Sequence, residues 1–131
     1  MGAQAMRDEV VKFFNGFETA FRSFSGDQIA DRYLVPNVSV NADGTVRCLQ
    51  TREEVGVYFQ SVVDSYYGDG CRSCHYKDLD VVQIGSRSAL GAVTWELLRE
   101  DESVLKSWRE SYNLTLSDGE LKVFASTDHV E

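Results

Sequence analysis

Glu110 stands between Trp108 and Tyr112 at alternate positions of the run Ser107-Trp108-Arg109-Glu110-Ser111-Tyr112. Residues two apart on a strand share a face, so this carboxyl is grouped with two large rings. Burial there would raise its pKa and make it a general acid or base near neutral pH. Tyr112 would then serve as a hydroxyl donor to a ligand oxygen. The same spacing also suits a glutamate bent back to solvent, or one paired with an arginine. Tyr33, Tyr58, Trp95, Trp108 and Tyr112 could line a pocket for a flat or apolar molecule, or could simply fill a core.

A second group of reactive types is Cys71-Arg72-Ser73-Cys74-His75, which fits the c-type haem attachment pattern letter for letter. Met1 and Met6 are the only methionines, leaving no axial ligand of that type elsewhere, and the motif runs directly into a strand-like stretch at 76–84. A zinc site would need a second Cys/His pair. The expected reading is a loop with two thiols, with no metal and no cofactor. No phosphate loop, nucleotide fingerprint or nucleophile elbow is present. Cys48, Cys71 and Cys74 form an odd set, which suits a reducing, cytoplasmic setting better than a disulfide framework.

Thirteen Lys and Arg against 21 Asp and Glu give a net charge of −8, which opposes binding to a nucleic-acid backbone. No apolar run approaches the roughly 20 residues that cross a bilayer, and the first residues lack an apolar signal core. Neither a membrane role nor export is therefore expected. A length of 131 residues, 43% hydrophobic with one proline, predicts one ordered domain over 1–131.

These residues need elements to position them. Val10, Phe13, Phe14, Phe17, Phe21 and Phe24 recur at helical steps and predict one long amphipathic helix, with Glu18 and Arg22 paired on its wet face. After Ser25-Gly26-Asp27, a short second helix through Ile29, Ala30, Tyr33 and Leu34 is stopped by Val35-Pro36. Strands at 38–41 and 45–49 flank Asp43-Gly44, read as a tight primed turn. Thr51 with Glu54 opens a third helix by a capping box. Its buried stripe is Val55, Tyr58, Phe59, Val62 and Tyr66, and Tyr66-Tyr67 reads as the helix terminus. Four strands follow, around 74–84, 88–98, 104–116 and 120–128. Val93, Trp95 and Leu97 form the more apolar set of the second of them. The order ααββαββββ predicts an α+β fold, with three helices packed on one face of a curved, mostly antiparallel sheet.

With this order in view, the chain resembles the nuclear transport factor 2-like superfamily, the cystatin-like, cone-shaped α+β fold, and within it the small SnoaL-like and ketosteroid-isomerase-like proteins. Carrying the likeness are Ser25-Gly26-Asp27, Tyr33 through Val38, Asp43-Gly44, Thr51 through Val55 with Tyr58-Phe59, Ser107 through Tyr112, Asp118-Gly119 and Ala125 through His129. The resemblance implies a ligand pocket between the concave sheet face and the helices, and a homodimer through the convex face. By register with the family, Phe124, Ser126 and Asp128 face inward and His129 outward. Glu110, Asp128 and Tyr112 then form the candidate catalytic group; Tyr33, Tyr58, Val93, Trp95, Trp108, Phe124 and Ser126 form the ligand-binding set.

The family's known enzymes fit less well. The first helix has no tyrosine, Asp43 is displaced into a turn, and Tyr112 stands about where steroid isomerases carry a further acid. Asp128-His129 supplies the residue types of a cyclase pair, but on opposite faces. Two expectations remain. One is a binder of a small apolar or aromatic molecule, with acid–base catalysis (isomerase, cyclase or dehydratase class) as its extension. The other is a non-catalytic dimerisation or carrier module.

Overall fold

A computed structural model describes residues 1–130. Helix α1 spans Ala3–Arg22 and buries Met6, Val10, Phe13, Phe14 and Phe17 along one stripe. The helix stops two residues before Phe24, which takes a left-handed φ of 52°. The Phe24 carbonyl accepts from Gln60 Nε2 at 3.1 Å, so a long-range contact ends the helix where the periodicity alone would continue it. Glu18 and Arg22 pair at 2.7 Å.

Helix α2, Gly26–Ala30, is capped by the Ser25 hydroxyl, which accepts from the Gln28 amide. Tyr33 and Leu34 do not extend it. They open strand β1, Tyr33–Val40, and Tyr33 lies beside Val123 of a distant strand, β6 (Glu120–Asp128). Pairing with a segment ninety residues away overrides the local helical spacing. Strand β2 is Val46–Leu49. Between β1 and β2, the Gly44 amide donates to the Asn41 carbonyl at 2.9 Å, and Gly44 has a φ of 86°. Asp43 keeps negative φ, so a type I turn followed by a left-handed glycine replaces the expected primed turn.

Helix α3, Arg52–Gly68, begins at Thr51, whose hydroxyl accepts from the Glu54 amide at 3.1 Å. The Glu54 carboxylate reaches back one residue further than a standard box, to the Gln50 amide at 3.0 Å. Strands β3 (Ser73–Ile84), β4 (Ser88–Leu98) and β5 (Val104–Ser117) precede β6. The sheet order is β2-β1-β6-β5-β4-β3, and every neighbouring pair is antiparallel except β1 with β6. The helices lie on one face. This is the cystatin-like α+β arrangement expected, with α1 over β3, β4 and β6 and α3 over β1 and β2.

Gly26 lets α2 and α3 touch backbone to backbone. A Cβ there would come 2.2 Å from the Gly56 carbonyl oxygen and 2.6 Å from the Gln60 amide nitrogen. Because both are main-chain atoms, relief requires the helices to separate. Gly26→Ala should cost about 2–3 kcal/mol in urea denaturation, whereas a change within ±0.5 kcal/mol would contradict that packing.

Candidate functional site

Alternation on β5 turns Trp108, Glu110, Tyr112 and Leu114 toward the helices, with Arg109, Ser111 and Asn113 on the other face. On β1 the inward set is polar, Asn37 and Ser39, with Asn41 just past the strand's end. On β6 it is Ser126 and Asp128. Helix α3 closes over them with Tyr58, Phe59, Val62 and Tyr66. The space left between helix and sheet is a cavity of about 180 Å³. Its floor carries Glu110 and Asp128, which are register partners on adjacent strands.

Burial beneath α3, together with the neighbouring Asp128 charge, pushes the Glu110 carboxyl up to about 8. Trp108 Nε1 donates to Glu110 Oε1 at 2.9 Å, and the Tyr112 hydroxyl lies close by; both partly oppose the rise. Tyr112 is itself held by Trp95 Nε1, which donates to its hydroxyl at 2.7 Å. Trp95 thus fixes the Tyr112 hydroxyl beside Glu110, and Glu110 retains its proton at neutral pH. Burial also raises the Tyr33, Tyr58, Tyr66 and Tyr112 phenols, so all four remain neutral donors in that range.

Of the residues singled out from sequence, Tyr33, Tyr58, Trp108, Glu110, Tyr112, Ser126 and Asp128 meet on this wall. Three do not. Val93 and Trp95 are covered in the core beside the cavity, and Trp95 reaches the site through Tyr112 and Phe21. Phe124 is 40% exposed and faces away. Pairing passes from Asn113↔Ala125 to Leu114↔Val123, which makes Phe124 the extra residue of a β-bulge and turns its side chain out. Ser126 and Asp128, beyond the bulge, keep the inward parity.

Sequence reasoning missed Asn37, Ser39, Asn41 and Lys106 on the lining, and it treated Tyr66 partly as a helix end. The spacing Tyr58, Val62, Tyr66 was the available signal. Asn37 is 3% exposed, and its Nδ2 donates to the Val123 carbonyl at 3.0 Å. His129, expected to face outward, also borders the cavity, while its Nε2 lies 2.7 Å from Ser111 Oγ.

The Cys-x-x-Cys-His string is consumed by the fold. Cys71 Sγ donates to the Ser73 carbonyl at 3.3 Å, Cys74 is buried under α1, and His75 Nε2 sits 2.6 Å from Glu96 Oε1 on the outer face. Burial pushes both thiols up, Cys74 to about 12, which opposes thiolate chemistry. Among the described residues no three His, Cys, Asp or Glu side chains form a metal-holding group, and no helix is long and apolar enough to cross a membrane.

Solved structures share this architecture. Aln2 from a Streptomyces species is 13% identical with a TM-score of 0.79, over 99% of this chain and 94% of that one. An NTF2-like protein from Shewanella oneidensis is 13% identical with a TM-score of 0.72, over 93% and 97%. Another, from Cytophaga hutchinsonii, is 17% identical with a TM-score of 0.68 over the full length of both chains. At such identities the likeness is one of fold. No curated protein matches the chain. The family described as NTF2-like protein (DUF6841) matches residues 8–131, and the chain belongs to that family.

Proposed function

We propose that the protein, as one domain over 1–131, binds a small apolar or aromatic molecule in this cavity and presents it to Glu110, Tyr112 and Asp128. The observation that carries the reading is the combination of a hollow with a proton-bearing carboxyl on its floor. Aromatic walls at this density could have closed into a core, yet about 180 Å³ remains open beside Glu110. An engineered apolar cavity of roughly 150 Å³ holds benzene, so a single-ring ligand is the appropriate scale. Tyr33, Tyr58 and Trp108 supply the flat surfaces, and Ser126 a polar contact.

Protonated Glu110 next to the Asp128 carboxylate gives a donor and an acceptor on one wall, the pairing that cofactor-free proton transfer needs. An isomerase, cyclase or dehydratase reaction is the extension of the binding reading. Single-ring fragments screened by ligand-observed NMR should yield binders. Tyr112→Phe and Glu110→Gln should each weaken those carrying a hydrogen-bonding group by about tenfold, about 1.4 kcal/mol. Unchanged binding in both folded variants would remove these residues from the site.

A carrier or assembly role of the same domain is favoured by a separate feature. The outer sheet face exposes Val82, Ile84 and Phe124 at 57%, 51% and 40%. We place a homodimer on that face, with the three free thiols suited to a reducing cytoplasm. Sedimentation at micromolar concentration should show a dimer that Val82→Lys dissociates; a monomeric parent would refute it.

A further inference from the structure

The geometry points to a compact organic cation as the cavity's ligand: a protonated amine or quaternary ammonium on an apolar or single-ring body. This rests on the ligand-binding reading above and narrows it by charge.

Two carboxyl groups, Glu110 and Asp128, stand on the floor, and the only Lys or Arg on the lining is Lys106. Lys106 does not pair with either acid. Its ammonium lies over the rings of Tyr66 and Trp108, 5.6 and 5.4 Å from their centroids. The chain's own cation thus rests on two of the rings that form the wall, where a ring quadrupole attracts positive charge. Arg47 does the same at Tyr58, 4.1 Å from the centroid.

Two hydroxyl groups, those of Tyr33 and Ser126, add acceptors to the lining. Tyr33 is 9% exposed and Ser126 is 6% exposed, and both line the hollow. Each can accept from an N–H donor, and with Asp128 they give an ammonium three acceptors. An anionic ligand would meet the carboxyls in a medium that screens them poorly. A neutral one would leave the floor's negative charge without a counterpart.

Charge balance adds a signature. The titratable and charged groups around Glu110 are Asp128 from β6, Tyr33 from β1, Tyr58 and Tyr66 from α3 and Tyr112 from β5, with Lys106 and His129 also on the lining and Arg47 over the Tyr58 ring. The phenols are raised and stay neutral, so Glu110 is the group among them that yields a proton. A cation bound beside it favours the carboxylate. The ammonium goes in, the Glu110 proton goes out to buffer, and net charge is conserved.

Calorimetry at pH 7 with benzylamine, benzyl alcohol and benzoate, in two buffers of different ionisation enthalpy, tests this. Benzylamine should bind at least tenfold tighter than benzyl alcohol, benzoate should not bind measurably, and a fraction of a proton should be released only with the amine. Glu110→Gln should abolish the release, and Asp128→Asn the amine preference. Lys106 is exposed, and Lys106→Met should tighten benzylamine severalfold by removing a competing cation. Equal binding of amine and alcohol, or tighter binding of benzoate, would overturn the cation inference and leave the cavity reading standing. Failure of all three probes at millimolar concentration would overturn both.

Discussion

Between pH 5 and pH 8.5 the protein should lose stability, and Glu110→Gln should abolish most of that loss. An unfolded glutamate titrates near 4.3, whereas folded Glu110 titrates at about 8. Between those values the native state holds a proton that the unfolded state has released. Unfolding therefore releases a proton, and stability falls as pH rises, by up to ~1.4 kcal/mol per unit. The contribution is complete below about pH 4.3 and gone once pH passes the folded value. The summed loss is on the order of 3–5 kcal/mol, large beside a typical domain stability. The side-chain amide of the Glu110→Gln variant would imitate the neutral acid at every pH and so flatten the profile. Glu96, Asp43 and Asp101 do not obscure the effect. They are lowered by hydrogen bonds from His75 and Lys77, from Thr45 and from Ser103, so their contributions exist above the usual carboxylate range and vanish only as pH falls through it. Urea midpoints measured across the range decide the matter, and a flat parent profile would refute the half-buried, protonated Glu110.

Phe17→Ala should cost about 3–5 kcal/mol, the range for emptying a fully covered aromatic position. Phe17 is completely buried. Its ring lies 5.2, 5.0, 5.8, 5.7 and 5.4 Å from those of Phe13, Phe21, Tyr33, Trp95 and Tyr112, mostly edge to face. Such edge contacts add to the area term, though their sum is not additive. The position also braces the site, since it packs on Trp95 and on Tyr112, which lines the cavity beside Glu110. Loss of the ring should admit water beneath Tyr112 and bring the Glu110 titration down toward ordinary values. Chemical denaturation gives the first quantity and NMR titration of the Glu110 side chain the second. A cost below about 1 kcal/mol would show that the aromatic stack is not what holds the cavity open.

The architecture was largely readable because its signals are periodic. Helical steps from Val10 to Phe17 and period-two alternation on β4 and β5 each agree with the burial seen, and Thr51 caps α3 as its type suggests. Where the reading failed, a partner distant in sequence decides the local outcome. Tyr33 is drawn into β1 by β6, and Phe24 is held out of α1 by Gln60. Phe124 is turned outward by one inserted residue, and a bulge leaves no mark in composition. The site was half legible for a related reason. Glu110 between two rings is a visible anomaly, but on β1 the ordinary rule sends Val38 and Val40 inward. The strand does the reverse, leaving Val38 38% exposed and Asn37 buried, because the space it faces is a polar hollow rather than a packed core.

The position of β6 between β1 and β5 carries a consequence for biosynthesis. The strand made last is the one that joins the opening hairpin to the rest of the sheet, and it delivers both Ser126 and Asp128. As the chain leaves the ribosome, α1 can dock on β3 and β4 once they emerge, but the β1–β2 hairpin has no neighbouring strand until residues past 120 follow. The hairpin is therefore the last part of the sheet to join, and the cavity between it and β5 closes only when the final strand is in place.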